Sequence, residues 1–189
     1  MNNTAPSYLK HHFLIAMPHM GDPHFAQTVI YLVEHNQHGA MGLVINKTSE
    51  LTLADVLVQL RPGSEPDERS QQVPIFDGGP VHGERGFVLH PQGWHYQATL
   101  ELGELALTTS QDVLLAIADG SGPDRHLIAL GYSGWEAGQL EAELIDNAWL
   151  TCPADPAVLF DVAIDQRLQR AAAPLGIDLR LLSSQAGHA

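Results

Sequence analysis

A single cysteine, Cys152, stands in 189 residues, so no internal disulfide can form. That favours a reducing compartment, the cytoplasm being the expected home, and Cys152 reads as a small buried hydrophobe before Pro153 rather than a reactive thiol. No apolar run approaches the roughly 20 residues that cross a bilayer. Met1 to His12 lack the basic start, apolar stretch and small-residue cleavage site of a secretory signal. Positive charge is scarce as well: nine Lys and Arg face 22 Asp and Glu, for a formal net charge of −13. Lys10 and Lys47 balance Asp22 and Glu34 in the first 49 residues, and the acidic excess lies wholly beyond them. No basic cluster occurs. Nucleic-acid binding draws its affinity from neutralising phosphates, so direct contact with DNA starts from a weak position.

What is present is a globular composition, with 44% hydrophobic and 16% charged residues. The length suits one domain over residues 1–189, able to bury about 70% of its unfolded surface without a disulfide or metal staple. Strand-like and helix-like segments are interleaved. Phe13 to Met17 is a short apolar run stopped by Pro18. Gln27 to Glu34, rich in β-branched and aromatic residues, is answered by Ala40 to Asn46, and His35-Asn-Gln-His-Gly39 between them has hairpin-turn chemistry.

Thr52-Leu-Ala-Asp55 reads as a capping box opening a helix that Arg61-Pro62-Gly63 ends. Residues 62–72 read as a mobile polar loop. Strands are expected at Val73 to Phe76, Gly86 to His90 and Leu105 to Thr108. A helix from Asp112 to Ala118, capped by Ser110, should close at Gly120. Leu127 to Trp149 reads as a buried strand, a glycine corner at Gly131 to Trp135, and a helix from about Glu136 to Trp149 with Leu140, Leu144, Ile145 and Ala148 on one face. Asp155-Pro156 is an N-cap followed by proline at the first helical position. Ala163 to Ala173 should be helical and Ile177 to Leu182 a last strand. Early strands that pair as hairpins, without crossover helices, favour α+β over a doubly wound parallel fold.

Three constellations bear on chemistry. Gly131-Tyr-Ser-Gly-Trp135 between a strand and a helix imitates a nucleophile elbow, with Ser133 as nucleophile, Asp146 or Asp161 as acid and the late His188 as base. Trp135 where a small residue is needed, and a histidine next to the chain end, weigh against a hydrolase. The histidines before residue 40 invite a metal reading around Glu34, His35 and His38, or Asp22 and His24. Residues three apart on a strand point to opposite faces, however, and no zinc-finger or H-E-x-x-H spacing occurs, so no metal is expected. Lastly, Asp22, His24, Glu34, Asn46, Arg85, His90, Gln139, Glu141 and Asn147 are polar residues set among apolar ones. They must find partners, either as a structural network or around a shared cleft that Trp135 could line, with Glu34 or Glu141 as a carboxylate for Arg85.

The stretches Leu9–Pro18, Asp22–Phe25, Glu34–His35, Gly39–Asn46, Gly78–Val81, Arg85–His90, Gly131–Trp135, Gly138–Glu141, Asn147–Trp149 and Gly187–Ala189, in that order, resemble the AlgH/YqgE family of bacterial proteins, and its pseudomonad members in particular. The resemblance covers nearly the whole chain. It implies one α+β domain with a twisted, bifurcated, mostly antiparallel sheet curled into a pseudo-barrel, helices packed on it, a cytosolic location and no cofactor. It implies a regulatory or interaction protein, associated with control of alginate production and described as a transcriptional regulator, with a protein or small-molecule partner still to be named. The family carries no catalytic residues to transfer, and it has alanine where this chain has Ser133.

Overall fold

The computed structural model describes residues 7–185. Its first three strands are β1 (His12–Ala16), β2 (Val29–Asn36) and β3 (Gly39–Val44), with the expected hairpin between β2 and β3. Gln37 and His38 make the turn, and Asn36 pairs with Gly39. Gly39 has φ 137, and a Cβ there would lie 2.2 Å from the carbonyl oxygen of Trp135, so only glycine fits.

The sheet continues through β4 (Thr48–Thr52), β5 (Pro74–Asp77), β6 (Val81–Pro91), β7 (Thr99–Leu102), β8 (Leu105–Thr108), β9 (Leu127–Glu136) and β10 (Trp149–Pro153). Their order is β10-β1-β2-β3-β9-β6-β8-β7, with β4 and β5 forming a branch. The fork lies within β9. Its first half, Ile128 to Leu130, pairs in parallel with β5, whereas its second half, Ser133 to Glu136, pairs antiparallel with β3. Gly131, at φ 72, stands between the halves. The result is an α+β fold in which a curled, mostly antiparallel sheet forms a half-barrel with helices packed on it.

Helices close the cores on both faces of the sheet. α1 (Leu53–Leu60) and α3 (Asp112–Asp119) bury Leu53, Leu57, Val113 and Ile117 against Ile75, Val88 and Ile128. The capping box of α1 is present, the Asp55 carboxylate accepting from both the backbone N–H and the hydroxyl of Thr52. Gly120 ends α3 in the left-handed conformation, as expected. On the concave side, α5 (Pro156–Phe160) and α6 (Arg167–Ala172) place Val158, Leu159, Ala171 and Ala172 against Phe13, Ile15, Tyr31 and Leu43. Fully burying each such Leu, Ile or Phe is worth about 1.5–3 kcal/mol. α4 (Gln139–Ile145) covers the convex side over Leu14, Ile30, Leu32 and Val44.

Several expectations are corrected. Residues 62–72 are not simply a loop: α2 (Glu68–Gln72) is capped by Asp67, buries Ser70, and sends Arg69 to the Ile117 carbonyl at the end of α3. The Glu136–Trp149 helix spans only α4. Asn147 adopts φ 56 and ends it, with Ala148 N–H bonded to Glu143 O and Asn147 N–H to Leu144 O, the paired bonds of a Schellman stop. Ile145 is therefore 79% exposed rather than part of an apolar face, and Trp149 opens β10. Cys152 sits in that strand, buried, its thiol donating to the Ala171 carbonyl. The 163–173 helix is a 3-10 turn, Ile164–Gln166, followed by α6, and the expected last strand is instead helix α7 (Leu179–Gln185).

Candidate functional site

A bulge in β2 decides which residues face where. Leu32 pairs with Gly42 and Glu34 with Met41, leaving Val33 as an extra residue. A one-residue slip exchanges the two faces of a strand. Beyond Val33, the cross-strand row His35–Ala40–Trp135 therefore turns to the convex side under α4. The rows Glu34–Met41–Gly134 and Asn36–Gly39–Glu136 turn to the concave side.

On the convex side α4 is clamped by two carboxylates. The Leu9 backbone N–H donates to His35 Nδ1 at 2.9 Å, which leaves the ring proton on Nε2, and Nε2–H donates to Glu141 Oε1 at 2.7 Å. The His35 side chain is 1% exposed. Along the same helix, Glu143 accepts from the indole N–H of Trp135 at 2.9 Å and of Trp149 at 2.8 Å, and from the Gln139 amide at 3.1 Å. The two indoles meet edge to face, and the Phe25 ring lies against both. This arrangement is structural: every named polar group has a partner, and the aromatic rings fill the space between helix and sheet.

The concave side is different. A groove of about 770 Å³ runs across β2, β3, β9 and β6 and is open to solvent. Met41, Val81, Phe87 and Tyr132 supply apolar lining, while Glu34, Glu136, Asn36, His38 and Arg85 supply polar groups. Gly134, facing the Tyr132 ring, adds no side chain to fill the space. Arg85 stands on an excursion of β6, since Val81 pairs with Tyr132 and Gly86 with Leu130, with four residues looped out between. Its guanidinium lies over the Phe87 ring, 5.8 Å from the centroid, and it pairs with neither Glu34 nor Glu141. Glu34 is instead joined to Lys10 Nζ at 3.2 Å.

Of the polar residues singled out from sequence, Glu34 and Arg85 line this groove, whereas Trp135, which borders it, turns its indole to the other face under α4. Glu141 and Gln139 lie behind the sheet on α4. The others stand apart with local tasks. Asp22 accepts from the His24 backbone N–H in an exposed turn, and Asn46 bridges the Val29 N–H and the Gln27 carbonyl at the start of β2. Asn147 stops α4. His90 is fully buried between Thr108 Oγ1 and the Pro91 carbonyl, and burial holds its pKa below the ordinary value. Asn36, Met41, Tyr132 and Glu136 escaped sequence reading because only the strand register brings them together. Glu143 carried one signal, its i,i+4 spacing from Gln139 on a helix between two tryptophans.

The elbow at Ser133 does not exist. β9 runs straight through it, Ser133 is 0% exposed, and its hydroxyl donates to the Gly78 carbonyl. Asp161 pairs with Arg125 on the surface, Asp146 caps α4, and His188 lies outside the described residues. Nor do three His, Cys, Asp or Glu side chains converge as metal ligands among the described residues. His38 points to solvent beside Gln37, whereas His35 is turned inward.

Comparison with known proteins agrees with this architecture. The AlgH-like family profile matches residues 13–180. The chain is 68% identical to the UPF0301 protein AlgH of Pseudomonas aeruginosa PAO1, 68% identical to a UPF0301 protein of Stutzerimonas stutzeri, and 66% identical to one of Pseudomonas putida GB-1, each across all of both chains. The solution structure of the Pseudomonas aeruginosa AlgH protein superposes with a TM-score of 0.82 over the whole of both chains. A Corynebacterium diphtheriae protein at 20% identity shares the fold, with a TM-score of 0.70 over 97% of this chain and 94% of its own. No helix among the described residues is long and apolar enough to cross a membrane. With a matched profile over most of its length and relatives at this identity, the chain belongs to the AlgH/UPF0301 family.

Proposed function

We propose that this protein is a non-enzymatic regulatory or interaction protein of the cytoplasm, which receives a partner in the groove bounded by Glu34, Arg85 and Glu136. The observation that carries the reading is the unroofed apolar lining, Met41, Val81 and Tyr132, between charged residues at the junction of four strands. Sites for small ligands enclose most of the ligand surface. This groove is open, so it suits a segment of polypeptide that contributes its own roof. Two carboxylates on its walls oppose a phosphate backbone, and regulation of alginate production, the role attached to the family name, then runs through a protein contact and not through DNA.

Substitution at Gly134 tests this. Its missing Cβ would lie 3.3 Å from the Tyr132 ring, so a leucine there projects into the groove. A partner that co-purifies with the native protein and is lost from a folded Gly134→Leu variant supports the groove. A partner retained by that variant removes it.

A further inference from the structure

The charge on the walls of the groove selects the kind of segment that can lie in it. The chain already places an ammonium there: Lys10 Nζ, from the segment before β1, meets Glu34 Oε2 at 3.2 Å. The second wall acid, Glu136, forms no ion pair among the described residues. Glu34 belongs to the row Glu34–Met41–Gly134 and Glu136 to the adjacent row Asn36–Gly39–Glu136, two strands away on the same face. Strand spacing of about 4.8 Å and a rise of about 3.3 Å per residue put their backbones roughly 12 Å apart, with Met41 between. An extended chain spaces side chains of one face by about 6.7 Å, so residues i and i+4 span about 13 Å. Arg85, on the far wall and without a carboxylate partner among the described residues, retains donors for backbone carbonyl oxygens.

Building on the docking role proposed for the groove, we infer that it binds an extended segment of a partner protein with the pattern basic–x–apolar–x–basic. The two cations of that segment sit on Glu34 and Glu136, and its apolar residue on Met41. Lys10 is then an internal competitor for the Glu34 subsite.

The test uses the full chain labelled with ¹⁵N and the peptide acetyl-Ser-Lys-Ser-Leu-Ser-Lys-Ser-amide, read by amide shifts and their titration. Shifts should concentrate at Met41, Tyr132 and Gly134. Glu136→Gln should weaken the affinity by up to about fivefold, the range of an exposed ion pair. Lys10→Ala should strengthen it by a similar factor. Lys47→Ala makes the same charge change but removes a side chain bonded to the Pro23 and His24 carbonyls, and should leave it unaltered. Equal binding of a peptide with glutamine for leucine, or equal gains from Lys10→Ala and Lys47→Ala, reduces the effect to surface charge and overturns the inference. Shifts at the same residues with a glutamate peptide overturn the basic pattern but leave groove docking standing. No groove shifts with any peptide also overturns the inference, and the docking role then stands or falls on Gly134→Leu alone.

Discussion

His35 Nε2 donates to the Glu141 carboxylate at 2.7 Å, joining residues 106 apart in sequence and fastening α4 to the β2–β3 hairpin. Burial alone would raise the Glu141 carboxyl, but hydrogen bonds from its own backbone N–H and from His35 outweigh it and hold the group below the usual value of 4.5. A carboxyl depressed in the folded state contributes stability that is fully present above its unfolded pKa and is lost as pH falls through the folded one. Glu141→Gln should therefore flatten the decline in stability below about pH 4.5, in urea titrations at stepped pH. His35→Ala also strands the Leu9 N–H, and should cost about 1–3 kcal/mol at neutral pH.

Glu143 collects three donors, two of them indoles that otherwise face an apolar interior. Glu143→Ala leaves both unpartnered, so a loss of about 2–4 kcal/mol is expected, with Glu143→Gln recovering part because an amide oxygen in the Oε2 place still accepts from both indoles while the bond from Gln139 is lost. Each kcal/mol lowers the melting temperature of a chain this size by about 2–4 °C. Tryptophan emission in the folded state should change in both variants, because Trp135 and Trp149 lose a carboxylate neighbour.

The turn between β5 and β6 presses backbone on backbone. A Cβ on Gly79 would sit 2.3 Å from the Tyr132 carbonyl carbon and 2.5 Å from the Ser133 nitrogen, at φ 149. Neither strand can retreat without breaking its ladder, so Gly79→Ala should prevent stable folding. Gly83, four residues on in the β6 excursion, has nothing within 4 Å of its Cβ position. Gly83→Ala should melt within about a degree or two of the native protein, and the contrast is readable by thermal denaturation.

Three histidines are held below their ordinary pKa of 6.5: His126 and His90 first by burial, and His11 first by burial and then by Lys10. Each resists protonation in the folded state while its unfolded counterpart takes up a proton below 6.5. Their contribution is thus fully present above that pH and is lost as pH falls through the folded values. Stability should decline with acidity well before the carboxylates titrate. Replacing His90 with glutamine, which keeps a donor and an acceptor for Thr108, should lessen that slope as pH falls below 6.5.

The local signals in this sequence are sound where neighbours decide the outcome. The hairpin at Gln37-His38, the capping box at Thr52, the Gly120 stop and the Asp155 N-cap all follow from chemistry within four residues. They mislead where distant partners overrule local pattern. The helical period from Leu140 to Ala148 continues past Asn147, yet the chain turns there so that Trp149 can join β1 and reach Glu143. Gly131 suggests a corner, but it marks a fork, visible only once β5 and β3 are both known to flank β9. His35 looks like one more turn histidine because nothing nearby reveals either Leu9 or Glu141. The groove depends on the Val33 bulge, and an added residue in a strand leaves no trace in hydrophobic alternation this short.

Ser133 supplies the last expectation. Its hydroxyl, wholly enclosed, bonds to the Gly78 carbonyl at 3.2 Å across the same crossing that requires glycine at 79. An activated nucleophile needs an exposed oxygen and an imidazole within hydrogen-bond reach, and Ser133 has a carbonyl in that place. A fluorophosphonate probe should leave Ser133 unlabelled in the folded protein, by peptide mass mapping after digestion. Ser133→Ala should cost about 1 kcal/mol, since it removes one neutral hydrogen bond and fills the site with the smaller methyl group. It should leave peptide binding at Met41 and Gly134 unchanged, because the serine side chain does not line the groove. Labelling of Ser133 in native protein, with loss of a measured hydrolysis in the alanine variant, would require β9 to open at the fork, contrary to the enclosure that Gly78 and Gly79 impose.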